Sequence, residues 1–509
     1  MVACHCKPAC GNEPHATVGK HFLTNRGYAA VAVSARRIAV TLALQHRFGI
    51  SLILAASSDC HHRYRCARSH CFGKPCYAAN LNSTVSSITS RPPLRDRAFI
   101  SFVLARMLAM FGQQMQAVVV AWQVYDITRD PLSLAYVGLA QFLPMMGLLI
   151  PAGDLSDRMS RKRLLGMSWL LATVCSGLLW LLAETGAHNV QWIYAVLVLF
   201  GCSRAFSGPA LQSLLPQIVA RDQLAKALAT NSMLMRLSAI AAPVLGGALY
   251  ALGGGVLTYA ICGLGLLLGA ALLSQVPVRF ANVKQPAEDD QSSMWQRFAE
   301  GIHFMRTRPI ILGTISLDLF AVLLGGVVAL LPVYAHEVLK VGPQGLGLLR
   351  SSMAVGEVCM GLWLASRPIN RHVGKVMFAA VAVFGLANMV FALSHWFVLS
   401  MLARALAGAA DMVSVYIRGA LVQFSTPDHM RGRVNAVNML FIGSSNELGE
   451  FRAGSSASWF GAVPAAILGS LCTLGVVGGW MTLFKPLRDV DRLEDAARVG
   501  TGKSEVSNS

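Results

Sequence analysis

Runs of about 20 predominantly apolar residues recur along this chain from about residue 98 to residue 484, and twelve of them can be counted. A helix needs a run of roughly this length to cross the hydrocarbon of a bilayer, which is about 30 Å thick. Hydrophobic residues make up 54% of the chain and charged residues only 13%, whereas about a quarter of a soluble protein is charged. A membrane β-barrel would instead alternate apolar and polar residues over strands of about 10 positions. The sequence therefore predicts an all-α membrane protein with twelve transmembrane helices.

The basic residues between these runs are concentrated on every second loop. Arg161 and Lys162 follow the second run and Arg431 and Arg433 follow the tenth, whereas the loop 253–255 on the other side has no Lys or Arg. Lys and Arg accumulate in the cytoplasmic loops of membrane proteins, so we expect both termini in the cytoplasm. The net charge of +18 follows from this topology and from a basic N-terminal extension, and we expect no nucleic-acid partner.

Residues 1–96 differ in composition from the rest of the chain. They hold seven of the 12 cysteines and 12 of the 43 Lys and Arg residues. Thiolates bind zinc and copper, but no Cys-x2-Cys pair is repeated here, so we expect no metal. The apolar stretch 28–57 is interrupted by arginines, which does not fit a secretory signal. We interpret the extension as a poorly structured tail or a mis-annotated, over-extended gene start, with a targeting segment and a metal site as alternatives.

The chain repeats itself at an interval of about 200 residues. The stretch Arg204-Ala-Phe-Ser-Gly208 corresponds to Arg404-Ala-Leu-Ala-Gly408 in the second half. After the extension 1–96, the predicted parts are a six-helix half (97–277), a cytoplasmic linker (278–308), a second six-helix half (309–485) and a cytoplasmic tail (486–509). Transporters built from such pseudo-symmetric repeats bind their substrate between the halves, near the middle of the membrane.

The loop 153–163 carries the most specific motif of the chain. It resembles the loop between helices two and three of the major facilitator superfamily, whose pattern is Gly-x-x-x-Asp-Arg-x-Gly-Arg-Arg/Lys. The residues in register are Gly153, Asp157, Arg158, Arg161 and Lys162, and Ser160 stands where the family has its second glycine. The resemblance implies a transporter that works by alternating access, with this loop latching the cytoplasmic gate. The alternative is that these charges only set the topology.

Further stretches refine the resemblance. The loops 215–227 and 426–435 are similar to those of the bacterial branch that includes the enterobactin exporter and macrolide-efflux proteins. The sequence from Ala242 to Gly247 resembles the Gly-Pro-x-x-Gly-Gly pattern of antiporters, with Ala242 in place of the first glycine. The alternative is that Pro243, Gly246 and Gly247 form a common helix-packing motif without a role in transport. The resemblance implies efflux across the bacterial inner (plasma) membrane.

Charged residues within apolar runs are costly, and they normally face a cavity or a protein interior. Arg204 resembles the arginine of the family's Arg-x-x-Gln-Gly pattern, which is linked to proton handling, and Arg404 is its counterpart in the second half. The carboxylates that could carry the coupling proton are Asp318, Glu357, Asp411, Glu447 and Glu450. The alternative is that these charges only hold the bundle together. The polar residues expected to line the substrate cavity are Gln113, Gln116, Gln123 and Asn446.

Together these features predict a secondary active transporter. We expect proton-coupled export of an amphipathic small molecule, drug-like or siderophore-like; uptake, facilitated diffusion, or a non-transporting scaffold or receptor with the same fold are the alternatives. The sequence contains no Walker loop, no Gly-x-Ser-x-Gly elbow and no His-Glu-x-x-His motif, so we expect no enzyme. We expect no cofactor, and a monomer in the lipid bilayer whose partners are its substrate and protons.

Overall fold

The computed structural model describes residues 96–495, apart from 149–150, 154, 156–158, 187–188, 221–222, 279–293 and 428–429. Regular secondary structure in this part of the chain is helical throughout. Residues 1–95 and two of the predicted gating residues, Asp157 and Arg158, lie outside the described residues.

Six helices form the first half. They are α1 (Arg97–Thr128), α2 (Pro131–Gly147), α3 (Arg161–Glu184), α4 (Val190–Ile218), and α5 and α6, the two arms of the run Leu224–Gln275. The arms meet at Gly253 and Gly254, whose backbones are not helical. Gly254 has a φ of 62°, a conformation that glycine adopts without steric cost. The sequence therefore turns one continuous apolar stretch into two helices.

The second half begins with a short helix and continues with the remaining apolar segments. Its helices are α7 (Met294–Arg306), α8 (Pro309–Gly325), α9 (Gly342–Ser366), α10 (Val373–Leu393), α11 (Phe397–Ser425), α12 (Arg431–Phe460), α13 (Ala462–Leu483) and the single turn α14 (Lys485–Arg488). After α8 the chain passes through short helical pieces that end in a π-helix, Tyr334–Val338. Residues 328–338 are called the second arm of α8 below.

By length and apolarity, nine helices in the described part of the chain can cross a bilayer, and the run that contains α5 and α6 counts as one of them. The two remaining predicted spans, α2 and α12, do not meet these criteria of length and apolarity. α2 has only 17 residues, and α12 carries Arg, Asn and Glu side chains along its length. The all-α membrane fold is confirmed. The number of membrane-spanning helices, twelve, stays a prediction.

Each half has an apolar core of its own, and the halves pack most extensively along two pairs of helices. Trp169 is fully buried in the core of the first half, and Phe378 in that of the second. Between the halves, α5 packs against α9 and α2 packs against α12. At Gly454 of α12, a Cβ would lie 2.9 Å from the carbonyl oxygen of Pro131 at the start of α2. Small residues thus let the two halves approach closely.

The break after α8 is held by Arg452 of α12. Its Nε donates a hydrogen bond to the carbonyl of Leu323 at 3.2 Å, and its Nη2 donates to the carbonyl of Gly326 at 3.0 Å. Carbonyl groups at the end of a helix lack intrahelical donors, and a cation is favoured there by the helix dipole. Arg452 therefore anchors the end of α8, from which the second arm continues to the interface between the halves.

Helix α7 packs on the second half. Ile302 and Met305 belong to an apolar cluster that includes Val434 of α12. Glu300 of α7 forms an ion pair with Arg433 of α12. The predicted linker thus contains a helix that is attached to the half it precedes.

Candidate substrate cavity

A cavity of about 360 Å³ lies between the two halves. The first half contributes residues of α1 to α5 to its wall, and the second half contributes the second arm of α8, α9 and α12. Met110, Phe200 and Leu346 are among its apolar lining residues. Sites for small molecules are concave, mostly apolar and equipped with a few converging polar groups. This cavity is therefore the candidate substrate site.

The cavity wall carries an unusual number of charges for the interior of a membrane protein. Its polar lining residues are Arg106, Gln113, Gln114, Gln141, Arg204, Arg350, Glu447 and Glu450. Three arginines and two glutamates give a net charge of +1 when all five are ionised. Because such charges are costly in hydrocarbon, their convergence on one cavity indicates a functional site.

An ion pair joins the two halves inside the cavity. Nη1 of Arg204, on α4, lies 3.3 Å from Oε1 of Glu447, on α12. The same nitrogen is 3.4 Å from Oε1 of Gln141, on α2. The side chains of Arg204 and Glu447 are 37% and 16% exposed, so the pair lines the cavity wall. This contact breaks if the halves separate here.

Three further charged groups complete the wall. Glu450 follows Glu447 by one helical turn, and both line the cavity. Arg106 donates a hydrogen bond to Asn231 of α5 at 3.2 Å. Arg350 and Glu450 also line the cavity, where Glu450 interacts electrostatically with Arg350, Arg204 and Glu447. Two cations and two carboxyl groups therefore interact within the cavity wall.

The predicted polar lining residues are divided between different sites. Gln113 lines the cavity. Gln116 instead accepts a hydrogen bond from the Ser176 hydroxyl of α3 at 2.5 Å, and Gln123 accepts one from the Tyr259 hydroxyl of α6 at 2.6 Å. Both glutamines therefore tie α1 to helices of its own half. Asn446 is exposed and does not line the cavity.

Two of the coupling candidates lie inside the second half, away from the cavity wall. Asp318 of α8 forms an ion pair with Arg418 of α11, and the two side chains are 9% and 7% exposed. Arg404 of α11 is 2% exposed and donates a hydrogen bond to Oδ1 of Asn388, on α10, at 3.2 Å. These contacts join helices within one half, which suits a role in holding the bundle together.

The remaining coupling candidates form a second charged cluster between the halves. Glu357 of α9 pairs with Arg236 of α5 at 2.7 Å. Asp411 of α11 interacts electrostatically with both of these residues. Like the pair in the cavity, this one joins an arginine of the first half to a glutamate of the second.

Gly153, Arg161 and Lys162 are the predicted gating residues that the structure describes. Lys162 stands at the start of α3, and its Nζ donates hydrogen bonds to the carbonyls of Ser274 and Val276 at 2.7 and 2.6 Å. These carbonyls belong to the end of α6, where a cation is favoured. Lys162 therefore connects two helices of the first half.

The predicted packing motif lies where α5 crosses its neighbours. A Cβ on Gly247 would collide with the carbonyl oxygen of Pro343 at the start of α9, and a Cβ on Gly347 of α9 would collide with the carbonyl oxygen of Pro243. A Cβ on Gly246 would lie 3.0 Å from Cα of Met115 on α1, a tight contact within the first half. The motif thus forms a reciprocal contact between the two halves.

Sequence reasoning missed Arg106 and Gln141 as cavity residues. The signal that could have found Arg106 is its spacing, because Arg106, Met110, Gln113 and Ala117 recur every three to four residues along α1. Such a stripe marks one face of a helix. No comparable signal identifies Gln141, whose role depends on the position of Arg204.

Two repeated helical halves around a central charged cavity define a membrane carrier of the major facilitator class. Residues 88–508 match the family described as transmembrane secretion effectors. The chain belongs to this family of major facilitator transporters, which confirms the resemblance seen in the sequence. It is a multi-pass membrane transporter and not an enzyme.

Relatives of known role are similar along most of the chain. The enterobactin exporter EntS of Citrobacter koseri is 26% identical over 390 residues, which cover 73% of this chain and 90% of the exporter. EntS of Escherichia coli O81 (strain ED1a) shows the same identity and coverage.

Solved structures support the fold. A bacterial homologue of the human lysosomal transporter Spinster, in an inward-facing and unoccupied conformation, has a TM-score of 0.58 at 15% identity, covering 79% of this chain and 96% of that one. A bacterial homologue of the iron transporter ferroportin, in an inward-facing state, has a TM-score of 0.56 at 16% identity, covering 77% and 99%.

Proposed function

We propose that this protein exports an amphipathic small molecule, drug-like or siderophore-like, across the bacterial inner membrane in exchange for protons. The observation that carries the proposal is the ion pair between Arg204 and Glu447, which joins the two halves inside the cavity, with Glu450 one turn away. A proton-coupled carrier needs an acidic side chain at the interface between its halves, because this interface changes when the carrier passes from one state to the other. The similarity to the enterobactin exporters favours export.

In the proposed cycle, the carboxyl groups of Glu447 and Glu450 exchange protons while the halves rock about the cavity. A proton on Glu447 neutralises the partner of Arg204 and removes the charge that holds the halves together here. Release of the proton restores the pair. Substrate leaves in one direction and the proton enters in the other, so no other energy source is needed.

The orientation follows from the basic loops, which we place in the cytoplasm together with both termini. In that orientation α3 begins on the cytoplasmic side with Arg161 and Lys162. The gate latch at Asp157 and Arg158 belongs to the same side. The carrier acts as a monomer in this proposal, because each chain contains a complete cavity.

The test is accumulation of fluorescent dyes and iron chelates in bacteria that lack their own efflux pumps and express the full chain. We expect lower accumulation than in cells without the protein, and recovery when an uncoupler dissipates the proton gradient. Glu447→Gln and Glu450→Gln should each abolish this protection. Glu494→Gln, which removes an exposed carboxylate outside the cavity, is the matched control and should retain it.

The outcomes separate the alternatives. Unchanged efflux in both cavity variants would remove these glutamates from the mechanism. Efflux that the uncoupler does not affect would indicate a facilitative carrier. Raised accumulation would indicate uptake, and no flux with any probe would favour a scaffold.

A further inference from the structure

At one face of the molecule, polar side chains that the transport proposal does not use connect the two halves. The end of α1 provides Tyr125 and Asp126, and Arg129 follows directly. The π-helix in the second arm of α8 provides His336 and Glu337. These five residues are called the clasp below. π-helical segments are rare and occur frequently at functional sites, and this one presents two neighbouring side chains to α1.

His336 is the centre of the clasp. Nη1 of Arg129 lies 2.8 Å from its Nδ1 and also contacts its Nε2. Nη2 of the same guanidinium donates to Oδ1 of Asp126 at 2.7 Å, and that oxygen lies 3.6 Å from Nε2 of His336. Beside it, the hydroxyl of Tyr125 donates to the carboxylate of Glu337. Every one of these contacts to His336 or Glu337 joins the two halves.

The contact with Arg129 requires an acceptor on the ring. A guanidinium group only donates hydrogen bonds, so at least one of the two imidazole nitrogens that it contacts must carry a lone pair. A ring protonated on both nitrogens has no acceptor left and places a second cation beside Arg129. Asp126 could attract this cation, but it already accepts a shorter hydrogen bond from Arg129.

We propose that His336 is a proton-binding site that controls the closure of this face. The neutral ring holds the second arm of α8 against α1, and the binding of one proton releases it. The side chain of His336 is 26% exposed, so a proton from solution reaches it. The proposal concerns the empty carrier and therefore does not depend on which substrate is moved or on the glutamates of the cavity.

Other titratable and charged groups lie near the ring or near its partners. They are Asp126, Arg129, Asp130 at the start of α2, Glu337 on the same arm, and the phenols of Tyr125 and Tyr250. Histidine is the side chain whose ordinary pKa places its charge change between about pH 5 and pH 8. Trp122 packs against the ring, with 5.4 Å between ring centroids, and keeps one side of it apolar.

The test is hydrogen–deuterium exchange of the backbone amides of residues 328–340 in the purified, substrate-free protein. Wild type and His336→Gln are compared at about pH 5.5 and at about pH 8, on either side of the usual histidine titration. Gln accepts a hydrogen bond from Arg129 but does not titrate. Comparison at equal pH cancels the pH dependence of chemical exchange. His395→Gln, at the exposed loop between α10 and α11, is the matched control.

At the higher pH we expect equal exchange in wild type and His336→Gln. At the lower pH we expect exchange about three- to five-fold faster in wild type, which is the effect of losing one half-exposed charge contact. His336→Lys, which carries a permanent charge, should exchange quickly at both pH values. His336→Asn provides a second neutral variant if the glutamine variant folds poorly. Equal exchange of wild type and His336→Gln at the lower pH, or slower exchange in wild type, would overturn the proposal.

Discussion

Replacement of Gly347 by alanine tests whether the contact between α5 and α9 holds the halves in the observed arrangement. The new Cβ would collide with the carbonyl oxygen of Pro243 and would lie 3.1 Å from its carbonyl carbon and 3.2 Å from Cα of Val244. These are backbone atoms, which cannot rotate away as the end of a side chain can. The two helices must therefore separate locally.

The cost falls only on the arrangement in which the halves touch at this point. Overpacking of a tight interior contact costs about 1–3 kcal/mol, which corresponds to a shift of roughly 5- to 150-fold in the equilibrium between the closed and the separated arrangement. Alanine is also more favourable than glycine within a helix, by about 1 kcal/mol. This gain stabilises α9 equally in both arrangements. The substitution should thus keep the helix and weaken the interface.

Hydrogen–deuterium exchange of residues 240–252 and 342–352 measures this shift. We expect faster exchange in Gly347→Ala than in wild type. Gly361→Ala is the matched control, because it lies on the same helix and its Cβ would meet only the Met412 side chain, at 3.4 Å. Identical exchange in the two variants would refute the argument, since both gain the same helix propensity and only one carries the collision.

Three further predictions concern residues elsewhere in the fold. Asp318→Asn leaves the buried guanidinium of Arg418 without its carboxylate and should lower the free energy of unfolding by about 3–5 kcal/mol; thermal unfolding in detergent measures this, and a double variant with Arg418→Met should recover part of the loss. Lys162→Met removes two hydrogen bonds at the end of α6 and should lower the stability by about 1–3 kcal/mol; an unchanged melting temperature would contradict that role. Asp157→Asn should slow the turnover of dye efflux without changing the half-saturating concentration, and a pure loss of affinity would count against a gate latch.

Much of the fold could be predicted because membrane helices leave a local signal. Each apolar run predicts one helix without reference to the rest of the chain. The glycines at 253–254 mark the turn between α5 and α6. The repeat of Arg204 in Arg404 indicates two related halves, but the structure gives the two arginines different surroundings. Arg204 lines the cavity, whereas Arg404 is buried against Asn388. A repeat predicts corresponding positions and not corresponding environments.

The candidate site was less predictable, because it depends on helix rotation and on distant partners. At about 100° per residue, Gln116 and Gln123 lie roughly a quarter-turn from the face of α1 that carries Gln113, so composition alone could not separate them. Glu447 is 243 residues from Arg204 along the chain. Nothing in either local sequence specifies that pairing, which arises only when α4 and α12 are brought together.

The attachment of α7 to α12 changes how the two halves are connected. Since Glu300 and Met305 belong to contacts of the second half, the helix travels with that half whenever the two move apart. The chain that links the two halves therefore runs from the end of α6 at Gln275 to the start of α7 at Met294, and not to the start of α8. Cleavage of the chain between Gln275 and Met294 would therefore break the link between the halves and leave the contacts of α7 with α12 in place.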